Sequence, residues 1–101
     1  MGSGYGIKYT DYFIKQWQKL DDKSKRLIEG KLSLIVGNPF RYPNHKGYRR
    51  VFKVKLSIQN TYSRLMYAVY APNKNSITIL GIFPRERGYK DFKHLFGYLK
   101  D

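Results

Sequence analysis

The stretch from Tyr48 to Met66 alternates apolar and basic side chains, and this alternation constrains the fold more than any other feature of the chain. Successive side chains of a β-strand point to opposite faces of the sheet. One face would therefore carry Phe52, Val54 and Leu56, and the other Val51, Lys53 and Lys55. The first set can be buried and the second presents two ammonium groups, so the pattern predicts a strand at 49–57 with one face in a core.

A second strand is predicted at 61–71, because β-branched and aromatic residues are frequent there. Gln59 and Asn60 form the short connection, which favours antiparallel pairing. Paired in this way, the two strands would bring Lys53, Lys55 and Arg64 close together. Such a cluster is a preformed binding site for a phosphate group and indicates a nucleic-acid backbone as the ligand.

The third long strand is predicted at 76–83, after a turn at 72–75, and Pro84 ends it. Strict alternation would place Ile77, Ile79 and Phe83 on one face and Leu80 and Ile82 on the other. A strand that is apolar on both faces is typical of the centre of a sheet or of a covered position.

Two helices are predicted before the strands. Thr10 or Asp11 caps the first, and its apolar stripe is Phe13, Ile14, Trp17 and Leu20. Asp21 and Asp22 begin the second, which runs to about Val36 and stops at the sequence Gly-Asn-Pro of residues 37–39. Its expected inward residues are Leu27, Ile28, Leu32, Ile35 and Val36, and together the helices make an αα-hairpin.

The remaining segments complete an α+β fold. Residues 5–9 form a short strand, residues 40–47 a basic loop, and residues 90–99 a helix whose apolar face is Phe92, Leu95, Phe96 and Leu99. The predicted order is β-α-α-β-β-β-α, with the helical hairpin packed on a small, mostly antiparallel sheet. Residues 1–4 look like a tag remnant, and residues 5–101 are expected to form a single domain.

Charge narrows the choice of partner. Lysine and arginine number 20 against 7 acidic residues, which gives a formal net charge of +13 and a pI near 10.0. This excess repels itself in the folded state, and a polyanion would relieve it. Nucleic acid is the leading candidate and an anionic membrane surface the second, although no apolar run is long enough to span a bilayer. A solvated cationic surface without a polyanionic partner is the third alternative.

The residue types exclude several site classes. The chain has no cysteine and only two histidines, His45 and His94, so no cysteine-based zinc site or thiolate nucleophile is expected. No P-loop or dinucleotide-binding glycine pattern is present, and we expect no metal and no small-molecule cofactor. The two histidines are interpreted as surface or packing residues. The absence of cysteine and of a secretory signal fits the cytoplasm.

Five short motifs occur in a definite order along the chain. They are W-x-x-L (Trp17, Leu20), N-P (Asn38, Pro39), K-x-K-L (Lys53–Leu56), R-L-x-Y (Arg64–Tyr67) and G-x-x-x-R-E-R (Gly81–Arg87). With the predicted element order, they resemble the RelE branch of the RelE/ParE toxin superfamily. The resemblance implies the toxin of a prokaryotic toxin–antitoxin pair, which cleaves mRNA in the ribosomal A site. The implied partners are mRNA, ribosomal RNA and a cognate acidic antitoxin.

The resemblance also implies roles for individual residues. The two strand lysines of the family correspond to Lys53 and Lys55, its strand arginine to Arg64, and its next arginine to Arg85. The family's C-terminal tyrosine lies six residues after that arginine, whereas here position 91 is aspartate and the nearest tyrosine is Tyr89.

The implied reaction is attack of a ribose 2′-hydroxyl on the adjacent phosphate. We expect Lys55 to be the base or to polarise the hydroxyl, because neighbouring cations lower the pKa of a lysine. Lys53 and Arg64 would clamp the phosphate, Arg85 would stabilise charge or help the leaving group, and Tyr89 would stack on a base or act as an acid. Further contacts to RNA are expected from Lys46, Arg49, Arg50 and Arg87.

Two other functions remain open at this point. One is a ParE-like inhibitor of DNA gyrase on the same fold, and the other is a non-catalytic RNA-binding protein. The RNA-binding protein would use the same basic sheet. The structural alternative for each strand lysine is a solvated cation on an exposed strand face, without a catalytic role. Arg64 and Arg85 would then form ordinary salt bridges to Glu86 or Asp91.

Overall fold

The structure is a computed structural model that describes residues 4–71 and 74–101. Residues 1–3 of the predicted tag remnant, and Pro72 and Asn73 of the predicted turn, lie outside the described residues. The elements are β1 (Gly6–Tyr9), α1 (Asp11–Gln18), α2 (Asp22–Gly37), β2 (Asn44–His45), β3 (Tyr48–Ile58), β4 (Thr61–Tyr70), β5 (Ser76–Pro84), α3 (Gly88–Phe96) and a 3₁₀ helix at Gly97–Leu99. The α+β class and the order of the long elements are confirmed.

Five strands form one mixed sheet within the described residues, in the order β1-β5-β4-β3-β2. Only β1 runs parallel to its neighbour, β5, while the other neighbouring strands are antiparallel. The mostly antiparallel sheet is therefore confirmed. The third long strand, β5, lies inside the sheet, as its apolar residues on both faces predicted.

The sheet carries a hydrophobic core on each face. On the α1–α2 face, Phe13, Ile28 and Ile35 of the helices pack with the strand residues Phe52, Val54, Leu56, Leu65, Tyr67, Ile77, Ile79 and Ile82. On the α3 face, Phe92 and Phe96 pack with Val51, Met66, Ala68, Leu80 and Phe83. The alternation predicted for β3 is therefore confirmed, and both sides of the sheet are covered over part of their length.

Two side-chain caps set the boundaries of the helical hairpin. The Thr10 hydroxyl accepts a hydrogen bond from the Phe13 N–H at 3.0 Å, and the Asp21 carboxylate accepts one from the Ser24 N–H at 2.8 Å. Each cap satisfies one of the free N–H groups at a helix start. Thr10 also donates to the Leu80 carbonyl at 2.7 Å, which ties the start of α1 to β5.

Three apolar residues predicted to face inward are instead exposed. Ile14, Leu27 and Leu95 have exposed fractions of 41%, 39% and 37%. Each lies next to the buried stripe of its helix, at Phe13, Ile28 and Phe96, one helical step of about 100° away. The buried stripes are therefore narrower than the sequence indicated.

The face assignment predicted for β5 is correct up to Leu80 and wrong for Ile82 and Phe83. Met66 pairs with Gly81 whereas the next residue, Tyr67, pairs with Ile79, so Leu80 is an extra residue in β5. This β-bulge shifts the alternation by one position. As a result Ile77, Ile79 and Ile82 share the α1–α2 face, whereas Leu80 and Phe83 belong to the α3 face.

Helix α1 supports this bulge with side-chain contacts. The pairing of β1 with β5 ends at Ile79, and beyond it the Gln16 amide donates to the Ile82 carbonyl at 2.7 Å and accepts from the Ile82 N–H at 2.8 Å. Tyr12 packs where a side chain at Gly81 would project, because an added Cβ there would lie 2.7 Å from Tyr12 Cδ2. Gln16 thus replaces a neighbouring strand at this point.

Part of the predicted basic loop is also a strand. Asn44 and His45 form β2, which pairs with the first half of β3. The Asn44 amide donates to the Arg49 carbonyl at 2.9 Å, and the Lys53 N–H donates to the Pro43 carbonyl at 3.1 Å. These contacts join residues up to ten positions apart and give no local sequence signal.

The C-terminal helix begins two residues earlier than predicted and packs tightly on β5. A Cβ added at Gly88 would lie 2.6 Å from the Cβ and 2.7 Å from the carbonyl carbon of Phe83. Glycine therefore lets the first turn of α3 touch the strand backbone. Helix α3 ends at Phe96, and the 3₁₀ helix covers the rest of the predicted segment.

We expect Gly88→Ala to destabilise the protein, because the new methyl group meets a backbone atom that cannot move aside. Overpacking of this kind costs about 1–3 kcal/mol. Gly30→Ala is the matched control, since Gly30 lies within α2 and an added Cβ meets nothing within 4 Å. Replacing a helical glycine with alanine should stabilise by about 0.5–1 kcal/mol. Urea unfolding measures both, and equal free energies of unfolding for Gly88→Ala and the original chain would contradict the contact.

Candidate functional site

Four predicted site cations lie on one face of the sheet. Lys55 of β3 pairs directly with Arg64 of β4, and Lys53 lies two residues earlier, opposite Met66. Arg85 follows the end of β5, where its N–H donates to the Tyr62 carbonyl at 2.8 Å and continues the β4–β5 ladder. Lys53, Lys55, Arg64 and Arg85 are called the cation cluster below. They occupy the part of the α3 face that α3 leaves uncovered.

An open groove of about 430 Å³ lies against this cluster. Its lining residues are Lys55, Leu56, Ser57, Tyr62, Ser63, Arg64 and Arg85. Lys55 and Arg85 are exposed and Arg64 is half-buried. The groove is therefore accessible to a ligand from solvent and presents three positive charges to it.

No carboxylate neutralises these charges within the described ranges 4–71 and 74–101. The ion pair found there joins Arg49 to Asp101 at 3.4 Å, at the other end of β3. The salt bridges from Arg64 or Arg85 to Glu86 or Asp91, considered from the sequence, do not form. Positive charges held together without a counter-charge attract anions.

Lys53 differs from an ordinary surface lysine. Its side chain is half-buried. Burial, followed by the charges of Arg64 and Lys55, lowers the pKa of the Lys53 ammonium below its usual value. A larger fraction of Lys53 is therefore the neutral amine at a given pH than for a free lysine, which is the form able to accept a proton.

His45 lies buried beside the cluster and not on the surface. Its ring is 2% exposed and contacts the rings of Tyr48, Tyr89 and Phe92, with centroids 5.0 to 5.2 Å away. Neither ring nitrogen has a hydrogen-bond partner among the described residues. Burial, then the charges of Lys53 and Arg64, lowers the pKa of His45, so the imidazole is held neutral. The packing role expected for this histidine fits, and only the tertiary structure reveals its position near the cations.

Tyr89 begins the exposed surface of α3. Its side chain is 51% exposed, and its ring lies over His45 with a centroid separation of 5.0 Å. Because Gly88 holds the preceding backbone against Phe83, the position of Tyr89 depends on that close contact. Arg87 is the cap residue just before α3 and is exposed.

The other predicted RNA-contacting residues lie farther away. Lys46 is exposed in the turn between β2 and β3. Arg49 and Arg50 are six and five residues before Lys55, so at about 3.3 Å per residue they lie ~17–20 Å from it along the strand. Arg49 pairs with Asp101 and Arg50 lies over the ring of Tyr70. The structure therefore does not bring Arg49 and Arg50 into the groove.

Tyr62 is an aromatic residue of the groove that was not among the predicted site residues. Tyr62 is 71% exposed and follows the tight β3–β4 turn. The sequence does contain an indication of its position. Tyr62 lies two residues before Arg64, and residues two apart in a strand share a face of the sheet.

No group of three or more His, Asp or Glu side chains in the part of the chain that the structure describes is arranged to hold a metal ion. None of the described helices has both the length and the apolar character needed to cross a membrane.

Comparisons with known proteins agree on the fold. No protein-family profile and no curated protein sequence matches the chain significantly. Among solved structures, the free Escherichia coli toxin RelE carrying two arginine-to-alanine changes superimposes with a TM-score of 0.71 at 21% identity, covering 95% of this chain and 100% of that one.

Two complexes that contain RelE are also similar, and the first is a toxin–antitoxin complex. The intact E. coli RelBE complex matches with a TM-score of 0.66 at 21% identity, covering 78% of this chain and 94% of that one. The archaeal RelE–RelB complex from Pyrococcus horikoshii matches with a TM-score of 0.55 at 22% identity, covering 82% and 97%. The chain has the RelE fold. This confirms the fold that the five sequence motifs implied.

In this RelE-like fold, the cation cluster and the buried histidine belong to one region. The cluster is carried by β3, β4 and the end of β5, and α3 closes one side of it with Tyr89. His45 reaches the same region from β2. The region thus contains positive charges that can bind an anion. It also contains two residues, Lys53 and His45, whose pKa is lowered mainly by burial.

We expect stability to fall on acidification because of His45. Its pKa in the folded state lies below the ordinary value of 6.5, so the unfolded chain binds the proton more readily. The free energy of unfolding is then highest above about pH 7 and decreases as pH falls through 6.5 toward the lowered pKa. His45→Phe keeps an aromatic ring and removes the titrating group, so this decrease should become smaller. Urea unfolding between about pH 7.5 and 5 measures it.

His94→Gln is the control, since His94 is exposed on α3. That variant should keep the acid-dependent loss of stability. A His45→Phe profile parallel to that of the original chain would contradict a buried, neutral His45.

Proposed function

We propose that this protein is the toxin of a prokaryotic toxin–antitoxin pair and acts as a metal-independent endoribonuclease on mRNA in the ribosomal A site. The observation that carries the proposal is the cation cluster, four positive side chains without a carboxylate partner among the described residues. The RelE-like fold supports the toxin assignment, because the similar solved structures are named as toxins or toxin–antitoxin complexes.

The proposed reaction is an internal transfer within the RNA strand. The ribose 2′-oxygen attacks the adjacent phosphorus, and the bond from phosphorus to the 5′-oxygen of the next nucleotide breaks. The products are a 2′,3′-cyclic phosphate and a 5′-hydroxyl. A base removes the 2′-proton, and an acid returns a proton to the departing 5′-oxygen. The extra negative charge on the phosphoryl oxygens must be stabilised meanwhile.

The groove cations suit that stabilising role. Lys55, Arg64 and Arg85 all line the groove, and Arg64 has the planar donor geometry that binds phosphate oxygens in pairs. A phosphate in the groove would meet preoriented donors whose repulsion for one another is relieved by its charge. Each such donor typically contributes 10²–10³ in rate.

For the base, the structure favours a different lysine from the one chosen on sequence. Lys55, the base predicted from the sequence, is exposed. Lys53 is half-buried, and burial and neighbouring cations lower the pKa of its ammonium. We therefore assign the base to Lys53 and a phosphate contact to Lys55.

Tyr89 remains the candidate for stacking on a base or for proton donation to the 5′-oxygen. It is half exposed at 51% and stands at the edge of the cluster above His45. Arg87 adds an exposed cation beside it. Lys46, Arg49 and Arg50 are assigned to the outer RNA surface, where ribosomal RNA would lie.

The partners follow from the same charge distribution. A net charge of +13 suits mRNA and ribosomal RNA in the cytoplasm, and it suits an acidic antitoxin that neutralises the toxin. Two of the similar structures are complexes of RelE with its RelB antitoxin. A cognate antitoxin of this kind is therefore part of the proposal.

The ParE-like alternative has less support. A gyrase inhibitor needs no cluster of uncompensated cations facing an open groove, nor a lysine with a lowered pKa. A non-catalytic RNA-binding protein would use the charges but not the lowered pKa of Lys53.

We expect the double variant Lys53→Ala, Lys55→Ala to lose mRNA cleavage on programmed ribosomes, by at least 10²–10³ in rate, while remaining folded. Both side chains lie away from the α1–α2 core, so their removal leaves that core intact. The matched control is Lys15→Ala, Lys19→Ala, which makes the same change in net charge at two exposed positions on α1 and its cap. Cleavage by the first variant at the rate of the control would disprove the assigned site.

A second pair of variants separates base from clamp. Arginine keeps the positive charge but does not lose its proton at accessible pH. Lys53→Arg should therefore bind RNA normally and cleave it about 10²–10³ times more slowly, whereas Lys55→Arg should retain most activity. Single-turnover rates on programmed ribosomes measure this. The opposite order would return the base to Lys55.

The function as a whole is tested by induced expression with mapping of transcript ends. Growth arrest with cuts inside translated codons supports the nuclease, and a 2′-deoxy nucleotide at the scissile position should block cutting. Growth arrest with DNA breaks and intact transcripts would instead identify a gyrase inhibitor. If neither transcript cuts nor DNA breaks are found, the result supports the non-catalytic RNA-binding protein.

A further inference from the structure

Tyr62 occupies an unusual position for a large aromatic side chain. It pairs with Ser57 across the β3–β4 hairpin, and its carbonyl accepts the Arg85 N–H at 2.8 Å, so its backbone is held on both sides. Its side chain is nevertheless 71% exposed. In the described part of the chain, its ring packs against no other aromatic ring, although most of the other tyrosines there have such a contact. The backbone of Tyr62 is thus held in the sheet, while the faces of its ring are accessible to a ligand.

Two open grooves meet at this ring. The first is the groove of the cation cluster, described above. The second has a volume of about 460 Å³ and is lined by Asn60, Thr61, Tyr62, Pro84, Arg85, Glu86 and Arg87. Tyr62 and Arg85 belong to both, so a chain-like ligand that passes from one groove to the other runs beside the Tyr62 ring.

Charge differs between the two grooves. The first presents Lys55, Arg64 and Arg85 and suits a phosphate. The second contains Arg85 and Arg87 but also the carboxylate of Glu86, which weakens the attraction for phosphate and accepts hydrogen bonds from amino groups. Nucleobases carry such amino groups, and their flat faces stack on exposed aromatic rings. A nucleotide could therefore place its phosphate against the cations of the first groove and stack its base on the Tyr62 ring.

We propose that Tyr62 is a stacking platform for an unpaired nucleobase of single-stranded RNA, positioned by a flanking phosphate in the cation cluster. This inference takes the RNA ligand from the proposed function and adds to it a residue that binds and positions a base. Tyr62 is separate from Tyr89, which lies on α3 above His45. The two rings would contact different nucleotides on either side of the cations.

The affinity of short single-stranded RNA tests this inference without requiring cleavage. We expect Tyr62→Ala to raise the dissociation constant of a fluorescein-labelled RNA hexamer about tenfold at fixed salt, because one stacked base is lost. Tyr62→Trp should bind at least as tightly as the original chain. Tyr98→Ala is the matched control, since Tyr98 is 78% exposed but lines neither groove. It should bind as the original chain does.

Abasic substitution identifies the contact directly. In a series of hexamers with one abasic ribose each, one position should weaken binding by the original chain about tenfold and leave binding by Tyr62→Ala unchanged. Non-additivity of this kind shows that ring and base interact. Fully base-paired RNA, whose bases are not free to stack, should show no difference between the original chain and Tyr62→Ala.

The possible failures point to different conclusions. If the original chain binds the hexamer and both Tyr62→Ala and Tyr62→Leu bind equally well, the stacking inference is wrong while the proposed function stands. If the original chain binds no single-stranded RNA at low salt, the stacking inference is wrong, and cleavage on programmed ribosomes, where the ribosome also holds the mRNA, decides the proposed function separately. Thermal unfolding of each variant checks its folding, and Tyr62→Leu serves as the second variant if Tyr62→Ala is destabilised.

Discussion

Like charges face each other across the β3–β4 pair, and the rest of the site depends on this arrangement. Lys55 and Arg64 are directly opposed, a geometry that destabilises an antiparallel pair by up to about 1 kcal/mol. The register is nevertheless set, because a shift by one residue would turn Val54, Leu56 and Leu65 out of the α1–α2 core. Burial on one face thus holds together cations on the other that would otherwise separate, and an anion is the missing stabilising partner.

Helix α3 both forms the core on its face of the sheet and limits how much of the cation cluster is covered. Phe92 and Phe96 bury the middle of the α3 face, while the start of the helix stops short of Lys55 and Arg64. The contact of Gly88 with Phe83 sets this limit, and Tyr89 then covers His45. A lysine beside this boundary is neither fully solvated nor fully buried. That intermediate environment lowers the pKa of Lys53 without removing it from a ligand.

The sequence predicted the parts of the structure that depend on local pattern. Alternation along 49–57 placed Lys53 and Lys55 on one face, and the short connection at Gln59 and Asn60 set the pairing that adds Arg64. Both turn residues have positive φ, 52° and 62°, which suits a tight hairpin. Local pattern also gave both helix caps. These features need only neighbouring residues, so one chain is enough to predict them.

The features that were missed depend on residues far apart in the chain. The extra residue in β5 is supported by Gln16, which is 66 positions away from its partner Ile82. His45 meets Tyr89 and Phe92 only because β2 and α3 lie side by side. Alternation places Tyr62 on the same face of β4 as Arg64, but its place in the groove also depends on Arg85, which follows the distant strand β5. No periodicity within a short window contains this information.

The extra residue in β5 also explains how Arg85 reaches the groove. From Ile82 onward, the side chains of β5 face the side opposite to the one that uninterrupted alternation from Ile77 would give them. Loss of a single residue there would exchange the faces of Ile82 and Phe83 and turn the arginine toward the helical hairpin. Natural variation at this point should therefore tolerate exchange of one amino acid for another far better than a change in length, because the count of residues, more than their identity, decides which way the arginine points.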